Sequence, residues 1–152
     1  MNIKLFNDDI ETLRPIAESW FEFANKNEFG IEVNVDKHLL ELEMMATNDD
    51  ADLIVLYDET TPIGYIGLRY FISPLGEQKI AEEHYLYVIP EKRGLASMRL
   101  IRNAKHLAKL KGCSHIIFNA SNLASDLHDK VCNFYEKMGF AKFETSFITK
   151  LE

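Results

Sequence analysis

The chain has 152 residues, of which 47% are apolar, 11% aromatic and 27% charged. This length suits a single domain, and the aromatic content excludes a disordered chain. A content of only 7 Gly and 4 Pro excludes fibrous and low-complexity classes. No apolar run reaches the roughly 18 residues that a membrane helix needs, and two cysteines, Cys113 and Cys132, fit a reducing compartment. We therefore expect a cytoplasmic protein without a membrane partner.

Charge is divided unevenly between the two halves of the chain. Residues 1–75 carry 5 Lys and Arg against 15 Asp and Glu, whereas residues 76–152 carry 12 against 9. Seven basic residues and no acidic one lie between Lys92 and Lys111. This asymmetry predicts an anionic ligand beside the basic stretch and a cationic partner beside the acidic half, or simply two solvated faces. A pI near 5.3 argues against nucleic acid as a partner.

Two amphipathic helices are predicted in the N-terminal third of the chain, after a short strand at residues 3–6. Asp8 or Asp9 is a suitable N-cap for the first helix, which would run to about residue 25. Asn34 or Asp36 would begin the second helix in the same way. Apolar residues recur at spacings of three and four in both segments, which is typical of a helix with one buried face.

The rest of the chain alternates between strand and helix patterns. Apolar runs bounded by turn residues predict strands at residues 51–57, 63–72, 79–89, 115–118 and 141–149. Helical spacing of the apolar residues predicts helices at residues 94–110 and 125–137. The order β-α-α-β-β-β-α-β-α-β predicts one α/β domain around a mixed sheet.

A tight turn with small residues opens the helix predicted at residues 94–110. The segment Glu91-Lys92-Arg93-Gly94-Leu95-Ala96 follows a strand that ends at a proline. Backbone N–H groups at a helix start have no partner within the helix, so they can bind a phosphate group. Gly94 and Ala96 are small enough for a phosphate to approach the backbone. The turn has neither the pattern of a Walker loop nor that of a dinucleotide fingerprint.

A second motif, Tyr135-Glu136-Lys137-Met138-Gly139-Phe140, lies about forty residues later at the end of a predicted helix. Together the two motifs resemble the pyrophosphate turn and the tyrosine motif of the GNAT superfamily of acyl-CoA N-acyltransferases. The resemblance extends over residues 52–149. It implies a mixed, mostly antiparallel sheet flanked by helices, with two splayed strands that form a coenzyme A cleft. It also implies transfer of an acetyl group from acetyl-CoA to a primary amine.

The resemblance assigns a group of residues to coenzyme binding. The strand that ends at Val88 would offer its backbone to the pantetheine arm, and the turn from Arg93 to Ser97 would hold the pyrophosphate. His128 stands where family members often carry an asparagine that contacts the coenzyme, and a histidine can also donate a hydrogen bond there. The implied residues are Tyr87, Val88, Arg93, Gly94, Leu95, Ala96, Ser97 and His128. No metal is implied, because the histidines show no metal-ligand spacing.

The resemblance also implies one proton donor and one proton acceptor. Tyr135 would lie near the thioester sulfur and protonate the leaving thiolate. Glu82 and His84 share one face of the strand that usually bears the base, so we expect them to remove the amine proton, directly or through water. Glu83 points to the other face unless a β-bulge shifts the register. The alternatives without a catalytic role are that Tyr135 only packs against the sheet and that Glu82 and His84 are structural or solvated.

We expect direct attack of the amine on the thioester, because no nucleophile, base and orienting group are arranged for an acyl-enzyme. Residues 1–50 would form the acceptor side and residues 51–152 the coenzyme-binding core. Acidic surroundings favour a cationic acceptor, either a small molecule or a protein amine. Departures from the family pattern at Glu91, Met98 and His128 leave an alternative, a non-catalytic module that senses coenzyme A or acts through protein contacts. We expect a monomer or a homodimer.

Overall fold

The structure, a computed structural model, describes residues 1–123 and 127–152. Within these ranges a five-stranded sheet lies between two layers of helices. Its strands are β1 (Asn2–Leu5), β2 (Ala51–Asp58), β3 (Thr61–Ile72), β4 (Lys79–Val88) and β5 (His115–Ile117). The helices are α1 (Arg14–Ala24), α2 (Val35–Thr47), α3 (Leu95–Leu110) and α4 (His128–Lys137), with 3₁₀ turns at Ile10–Leu13 and Pro90–Lys92. No helix in the described ranges is both long and apolar enough to cross a membrane.

Local capping signals set the starts of the first two helices. The Asp9 carboxylate accepts a hydrogen bond from the Glu11 N–H at 2.9 Å, at the start of the 3₁₀ turn that leads into α1. Asn34 Oδ1 accepts one from the Lys37 N–H at 2.9 Å at the start of α2. Pro15 lies in the first turn of α1, where its missing N–H is tolerated. Both predicted helices are therefore confirmed, with α1 shortened by the preceding turn.

Strands β1 to β4 are antiparallel neighbours in chain order, and β5 is parallel to β4. Strand β5 pairs with β4 only from Ile80 to Glu82. Beyond Glu82, β4 continues to Val88 without β5 beside it, so the sheet opens between these two strands. This arrangement confirms the predicted mixed, mostly antiparallel sheet with splayed strands.

Alternating side chains give the sheet an apolar layer on each face. Ile54 and Leu56 of β2 belong to a core cluster that includes the buried side chains of α3 and Tyr135 of α4. Leu53 and Val55, on the other face of the same strand, pack in a second cluster with α1 and α2. The two clusters hold the helices against opposite faces of the sheet.

A β-bulge in β4 changes which side chains face which layer. Gly67 of β3 lies opposite Tyr85, and the next residue, Leu68, lies opposite Glu83, so His84 has no partner across the ladder. Ala81 belongs to the cluster under α3, and Glu83 follows it on that face by alternation. Tyr85 packs instead against the cluster under α1 and α2. The extra residue therefore separates Glu83 and Tyr85 onto opposite faces of the sheet.

The C-terminal end differs from its predicted elements. The helix predicted at residues 125–137 begins at His128 in the described chain, and its predicted first residue, Ser125, lies outside the described residues. The strand predicted at residues 141–149 is wrong, because residues 141–152 form no strand in the described chain. A strand exists only as part of a ladder, and no described strand lies beside this segment to complete one.

Candidate active site

A cavity of about 600 Å³ opens where β4 continues beyond β5. One end of the cavity, here called the aromatic end, is lined by Trp20, His38, Tyr65 and Tyr85. The opposite end, here called the turn end, is lined by Arg93, Gly94 and Ser97 at the start of α3. Glu83, His84, Asn119 and Tyr135 also line the cavity. Residues from both helix layers therefore line the cavity.

The turn end presents backbone N–H groups at the start of α3. Gly94 has φ of 98°, a left-handed conformation that favours glycine, and it directs the chain into the helix. The Met98 N–H donates to the Gly94 carbonyl at 3.1 Å, which leaves the N–H groups of Leu95, Ala96 and Ser97 without partners inside the helix. No side chain caps this helix start. Such N–H groups, together with the positive end of the helix dipole, can bind a phosphate.

Arg93 holds the turn end against the end of β4. Its Nε donates to the Val88 carbonyl at 2.9 Å, and its guanidinium carbon lies 5.2 Å from the centre of the Tyr87 ring. The Tyr87 hydroxyl and Ser19 Oγ of α1 form a hydrogen bond of 2.9 Å. These contacts connect α1, β4 and the start of α3, so they hold the turn in position relative to the rest of the cavity.

Glu83 is a buried carboxyl group in the cavity wall, with 5% of its surface exposed. Asn119, just after β5, donates its N–H to Glu83 Oε2 at 3.1 Å and its Nδ2 to the Glu83 carbonyl at 2.9 Å. Burial raises the pKa of Glu83 to about 7, the hydrogen bonds from Asn119 oppose the rise, and the charge of Glu82 adds to it. At neutral pH this carboxyl group can therefore accept a proton or hold one.

The Tyr135 hydroxyl lies close to the same asparagine. It donates to the Asn119 carbonyl at 3.3 Å, so Asn119 contacts both Glu83 and Tyr135. The Tyr135 ring packs between Phe118 and Phe140, at centroid distances of 5.6 and 5.8 Å. Burial raises the pKa of Tyr135, and the charge of Glu83 raises it further. The phenol therefore stays protonated at neutral pH and can donate a proton.

The aromatic end is organised around His38 of α2. The His38 ring lies 4.9 Å from Trp20 and 4.8 Å from Tyr85, measured between ring centroids. His38 Nε2 and the Tyr65 hydroxyl form a hydrogen bond of 2.8 Å. Burial lowers the pKa of His38 to about 4, although the nearby charge of Glu41 opposes the change. His38 is therefore neutral at physiological pH, and this end of the cavity is a wall of uncharged rings.

Residues 12–140 match the family model described as the acetyltransferase (GNAT) family. The chain belongs to the GNAT acetyltransferase family. Members of this family use acetyl-CoA as their co-substrate. The match confirms the resemblance seen in the two sequence motifs, and with it the expectation of an acetyl-CoA-dependent N-acetyltransferase.

Solved structures of GNAT proteins share the fold over nearly the whole chain. A ribosomal-protein-alanine N-acetyltransferase from Brucella melitensis has a TM-score of 0.74 and 16% identity, covering 99% of this chain and 100% of that one. An aminoglycoside 6'-N-acetyltransferase from Acinetobacter haemolyticus has a TM-score of 0.67 and 19% identity, covering 100% and 99%. A GNAT family acetyltransferase from Staphylococcus aureus has a TM-score of 0.68 and 19% identity, covering 99% and 98%. No curated protein matches the chain in sequence.

The residues expected to bind coenzyme in this GNAT chain fall into three groups according to their position relative to the cavity. Five line the cavity with the groups described above: Tyr87, Val88, Arg93, Gly94 and Ser97. Leu95 has an exposed side chain and Ala96 is buried in the core under α3, so both face the turn end only through their N–H groups. His128 lies outside the cavity lining, and its Nδ1 is 3.2 Å from Asp129 Oδ1.

The residues expected to transfer protons also differ in whether they line the cavity. Tyr135 and His84 line the cavity, whereas Glu82 is not among its described lining residues. His84 Nε2 lies 3.9 Å from Glu82 Oε1. Burial lowers the pKa of His84, and the charge of Glu82 partly opposes this change. Glu83 lies in the cavity wall although it faces away from Glu82, because the opening beyond β5 exposes the α3 side of β4 to the cavity.

Sequence reasoning did not assign a role to Asn119, His38 or Tyr65. His38 had a local signal, since it precedes the buried Leu42 and Met45 by four and seven residues and so lies on the apolar face of α2. Asn119 had no comparable signal, because its partner Glu83 is 36 residues away in the chain. Tyr65 had no local signal either, because its hydrogen-bond partner His38 lies 27 residues earlier in the chain.

Proposed function

We propose that this chain transfers the acetyl group of acetyl-CoA to the primary amine of a cationic acceptor. The observation that carries the proposal is that one cavity is lined both by the turn end, whose N–H groups have no partner within α3, and by two groups suited to proton transfer, Glu83 and Tyr135. Family membership supplies the reaction class. The arrangement of the cavity supports the assignment of its two ends to the two substrates.

The turn end is proposed to hold the pyrophosphate of the coenzyme. The N–H groups of Leu95, Ala96 and Ser97 point out of the helix start and need an acceptor, which phosphate oxygens supply. The Val88 carbonyl already accepts a hydrogen bond from Arg93. The pantetheine amides would therefore bind other backbone groups of β4 beyond Glu82, on the side where β5 no longer pairs with it.

The chemistry needs one proton acceptor and one proton donor. We assign the acceptor to Glu83, which takes a proton from the amine as the amine nitrogen attacks the thioester carbon. The carbon–sulfur bond then breaks, and Tyr135 gives its proton to the thiolate. Asn119 contacts both groups and holds them in place. After the products leave, Glu83 loses its proton to water and Tyr135 regains one from water. No covalent enzyme intermediate is required.

His84 is the second candidate for the proton acceptor. Its ring lines the cavity, and its lowered pKa keeps it neutral near pH 7. Glu82, which the sequence analysis expects to share this role, has its Oε1 atom 3.9 Å from His84 Nε2 and would orient the ring. Glu83 is preferred because it is buried beside Asn119, which also contacts the proton donor, whereas His84 is partly exposed. The two candidates differ in their pKa values, so a pH profile separates them.

The aromatic end is proposed to bind the acceptor. Residues 1–50 contribute Trp20 and His38 to it, while Tyr65 and Tyr85 come from the core that follows. Faces of tryptophan and tyrosine rings attract cations, and the N-terminal half has an excess of acidic residues. Proteins of similar fold are named for an aminoglycoside and for a ribosomal-protein alanine as acceptors. A cationic small molecule or a protein amine fits this end of the cavity.

Calorimetric titration with acetyl-CoA, followed by a thiol-release assay, tests the proposal. We expect micromolar binding at one site per chain, and thiol release with at least one member of a panel of polyamines, aminoglycosides and lysine-containing peptides. Tyr135→Phe should reduce turnover while coenzyme binding stays nearly unchanged, because the phenol is needed only as the bond breaks. Absence of binding at millimolar acetyl-CoA contradicts the proposal.

The matched control is Tyr70→Phe, which removes a hydroxyl group from another buried tyrosine. The Tyr70 hydroxyl donates to Asp52 at 2.7 Å, outside the cavity, so this variant should keep full turnover. Equal losses in both variants would make Tyr135 structural. Coenzyme binding without thiol release across the whole panel would favour the non-catalytic alternative.

A further inference from the structure

One ring nitrogen of His38 has no partner in the protein. His38 Nε2 and the Tyr65 hydroxyl form a hydrogen bond of 2.8 Å. Within the described residues, His38 Nδ1 makes no hydrogen bond and no ion pair. The His38 side chain is buried, with 8% of its surface exposed, so the protein removes most of the water around it. A polar atom in such a place is normally satisfied, and Nδ1 therefore needs a partner from outside the chain.

The His38 Nδ1 atom is accessible from the cavity. In the described part of the chain, every side-chain nitrogen or oxygen that is fully buried has a hydrogen-bond partner. Since Nδ1 has none, it is not fully buried. Trp20, Tyr65 and Tyr85 pack around the ring at centroid distances of 4.9, 5.9 and 4.8 Å, and His38 lines the cavity. We therefore place Nδ1 at the surface of the cavity.

The hydrogen bond with Tyr65 determines which nitrogen of His38 carries the proton. Burial lowers the pKa of His38 to about 4, so at neutral pH the ring has one N–H and one acceptor nitrogen. Tyr65 is 1% exposed, and within the described residues its hydroxyl has no hydrogen-bond partner other than His38. A proton on Nε2 would leave the hydroxyl proton of Tyr65 buried without an acceptor, which is unfavourable. The Tyr65 hydroxyl therefore donates to Nε2, and the ring proton is on Nδ1.

We propose that the Nδ1–H of His38 donates a hydrogen bond to an oxygen of the acceptor, which is a primary amine with a hydroxyl or carbonyl oxygen close to its amine group. The inference rests on the proposed function, which assigns the aromatic end to the acceptor. An ammonium group cannot be the partner of this N–H, because it only donates hydrogen bonds. The cavity of about 600 Å³ also has to hold the coenzyme arm, so only the part of the acceptor near its amine reaches His38.

This requirement divides the acceptors that the cavity could take. An amino alcohol or an amino sugar has a hydroxyl group on the carbon next to the amine-bearing carbon, and the N-terminal amine of a peptide lies equally close to a carbonyl. A polyamine has no oxygen, and the amine of a lysine side chain lies far from the nearest one. The site therefore favours amino alcohols, amino sugars and peptide N-termini over polyamines and lysine side chains.

NMR titration of the full chain with two matched amines, in the presence of coenzyme A, tests the inference. In 2-aminoethanol a hydroxyl group replaces a methyl group of propylamine, so the ratio of the two affinities reports on the oxygen. With ¹⁵N-labelled histidine, His38 should carry its proton on Nδ1, and 2-aminoethanol should shift the Nδ1 signal. The double variant His38→Phe/Tyr65→Phe should lower the relative affinity for 2-aminoethanol roughly 10-fold, because it removes the donor.

The double variant should fold, because it removes both partners of the buried hydrogen bond and leaves no hydroxyl group unpaired. Tyr65→Phe alone is the matched control. It removes the same hydroxyl group but keeps the His38 ring, which can still carry its proton on Nδ1, so it should keep most of the preference for 2-aminoethanol. An equal loss in this control would assign the effect to packing and overturn the inference.

A proton on Nε2 of the unaltered chain also overturns the inference, as does an affinity ratio that is the same in the unaltered chain and the double variant. Failure of 2-aminoethanol to bind has the same meaning. Thiol release is measured separately, with glucosamine, a lysine-free peptide with a free N-terminus, spermidine and an N-acetylated lysine peptide. Release with either of the first two alone supports the inference and identifies the source of the oxygen, whereas faster release with spermidine or the lysine peptide overturns it. The expected binding preference without any thiol release would contradict the proposed function while supporting the binding role of His38.

Discussion

The two ends of the cavity satisfy their polar groups in opposite ways. At the aromatic end, His38 and Tyr65 hydrogen-bond to each other inside the protein, and the neutral His38 ring lies among other rings. At the turn end, the N–H groups of Leu95, Ala96 and Ser97 have no partner within α3 and no side-chain cap. His38 Nε2 and the Tyr65 hydroxyl are thus paired inside the protein, whereas the N–H groups of the turn end are available to the proposed anionic ligand.

This difference indicates how each end selects its ligand. A preformed wall of uncharged rings discriminates by shape and by ring–cation contact. A helix start discriminates by negative charge and by close approach of the backbone. The groups proposed for proton transfer, Glu83 and Tyr135, line the same cavity and both contact Asn119. Substitutions at the turn end should therefore change coenzyme affinity, and substitutions at the aromatic end should change stability and acceptor choice.

The largest expected effect follows from placing a negative charge at the turn end. Gly94→Glu should weaken coenzyme A binding roughly 1,000-fold, because like charges brought together at a binding site contribute several kcal/mol of repulsion. Calorimetric titration with coenzyme A measures the change. Normal affinity in this variant would remove the pyrophosphate assignment.

Two controls separate charge from backbone strain in that experiment. Gly94→Ala imposes a similar strain, since φ is 98° there, without adding charge. Gly112→Glu adds the same charge at a glycine with φ of 85° beyond the other end of α3, and a Cβ there would also meet open space. The Gly112 variant should keep its affinity for coenzyme A even if its melting temperature falls.

A smaller effect is expected at Glu83, the proposed proton acceptor in the cavity wall. Activity of the unaltered chain should rise with pH through about 7, since the raised pKa of Glu83 keeps the carboxyl group protonated below that value. Glu83→Gln should lower kcat roughly 100-fold and remove this limb of the profile. The profile of kcat/KM, measured with one acceptor for all variants, tests both statements.

His84→Ala is the comparison variant for the same profile. It should keep the limb near pH 7, because the pKa of His84 is lowered from 6.5. A limb below pH 6.5 that disappears in His84→Ala and persists in Glu83→Gln would move the role to His84. In either outcome, the pH at which the limb lies and the variant that removes it identify the residue that accepts the proton.

The smallest effect concerns the stability of the aromatic end. Between pH 6.5 and 4 the unfolded chain binds a proton at His38 while the folded chain does not, so the free energy of unfolding falls as the pH falls. At pH 5 this linkage lowers the stability by about 2 kcal/mol relative to neutral pH. His38→Gln should remove that part of the pH dependence, as measured by urea unfolding at several pH values.

His106→Gln provides the control, because His106 lies on the exposed side of α3. That variant should retain the pH dependence of the unaltered chain. If His38→Gln also retained it, the aromatic end would not exclude protons as its burial indicates. The contrast between the two ends of the cavity would then rest on the turn end alone.

Local rules were sufficient for most of the fold. The caps at Asp9 and Asn34 and the glycine that opens α3 could be predicted because each acts on residues within about three positions. The register of β4 could not be predicted in the same way. Its bulge depends on the pairing of Gly67 and Leu68 with a strand that begins seven residues after β3 ends, and no local pattern specifies it.

The C-terminal segment shows most clearly that an alternating sequence pattern does not by itself specify a strand. Its alternation predicts a strand at residues 141–149, yet alternation specifies only which side chains share a face. Whether a strand forms depends on pairing with a neighbouring edge, and in the described chain this segment pairs with none.

The sequence by itself determined the family, the order of the helices and most strands, and the helix start proposed to bind the coenzyme, because these depend on neighbouring residues. Tertiary structure alone decided that Glu83 and Tyr135 share Asn119 and that His38 meets Tyr65, since those contacts join residues 16 to 36 positions apart. It also set the pKa values, because burial is a property of the packed chain. Long-range packing, which no local pattern encodes, placed the groups that we propose to react.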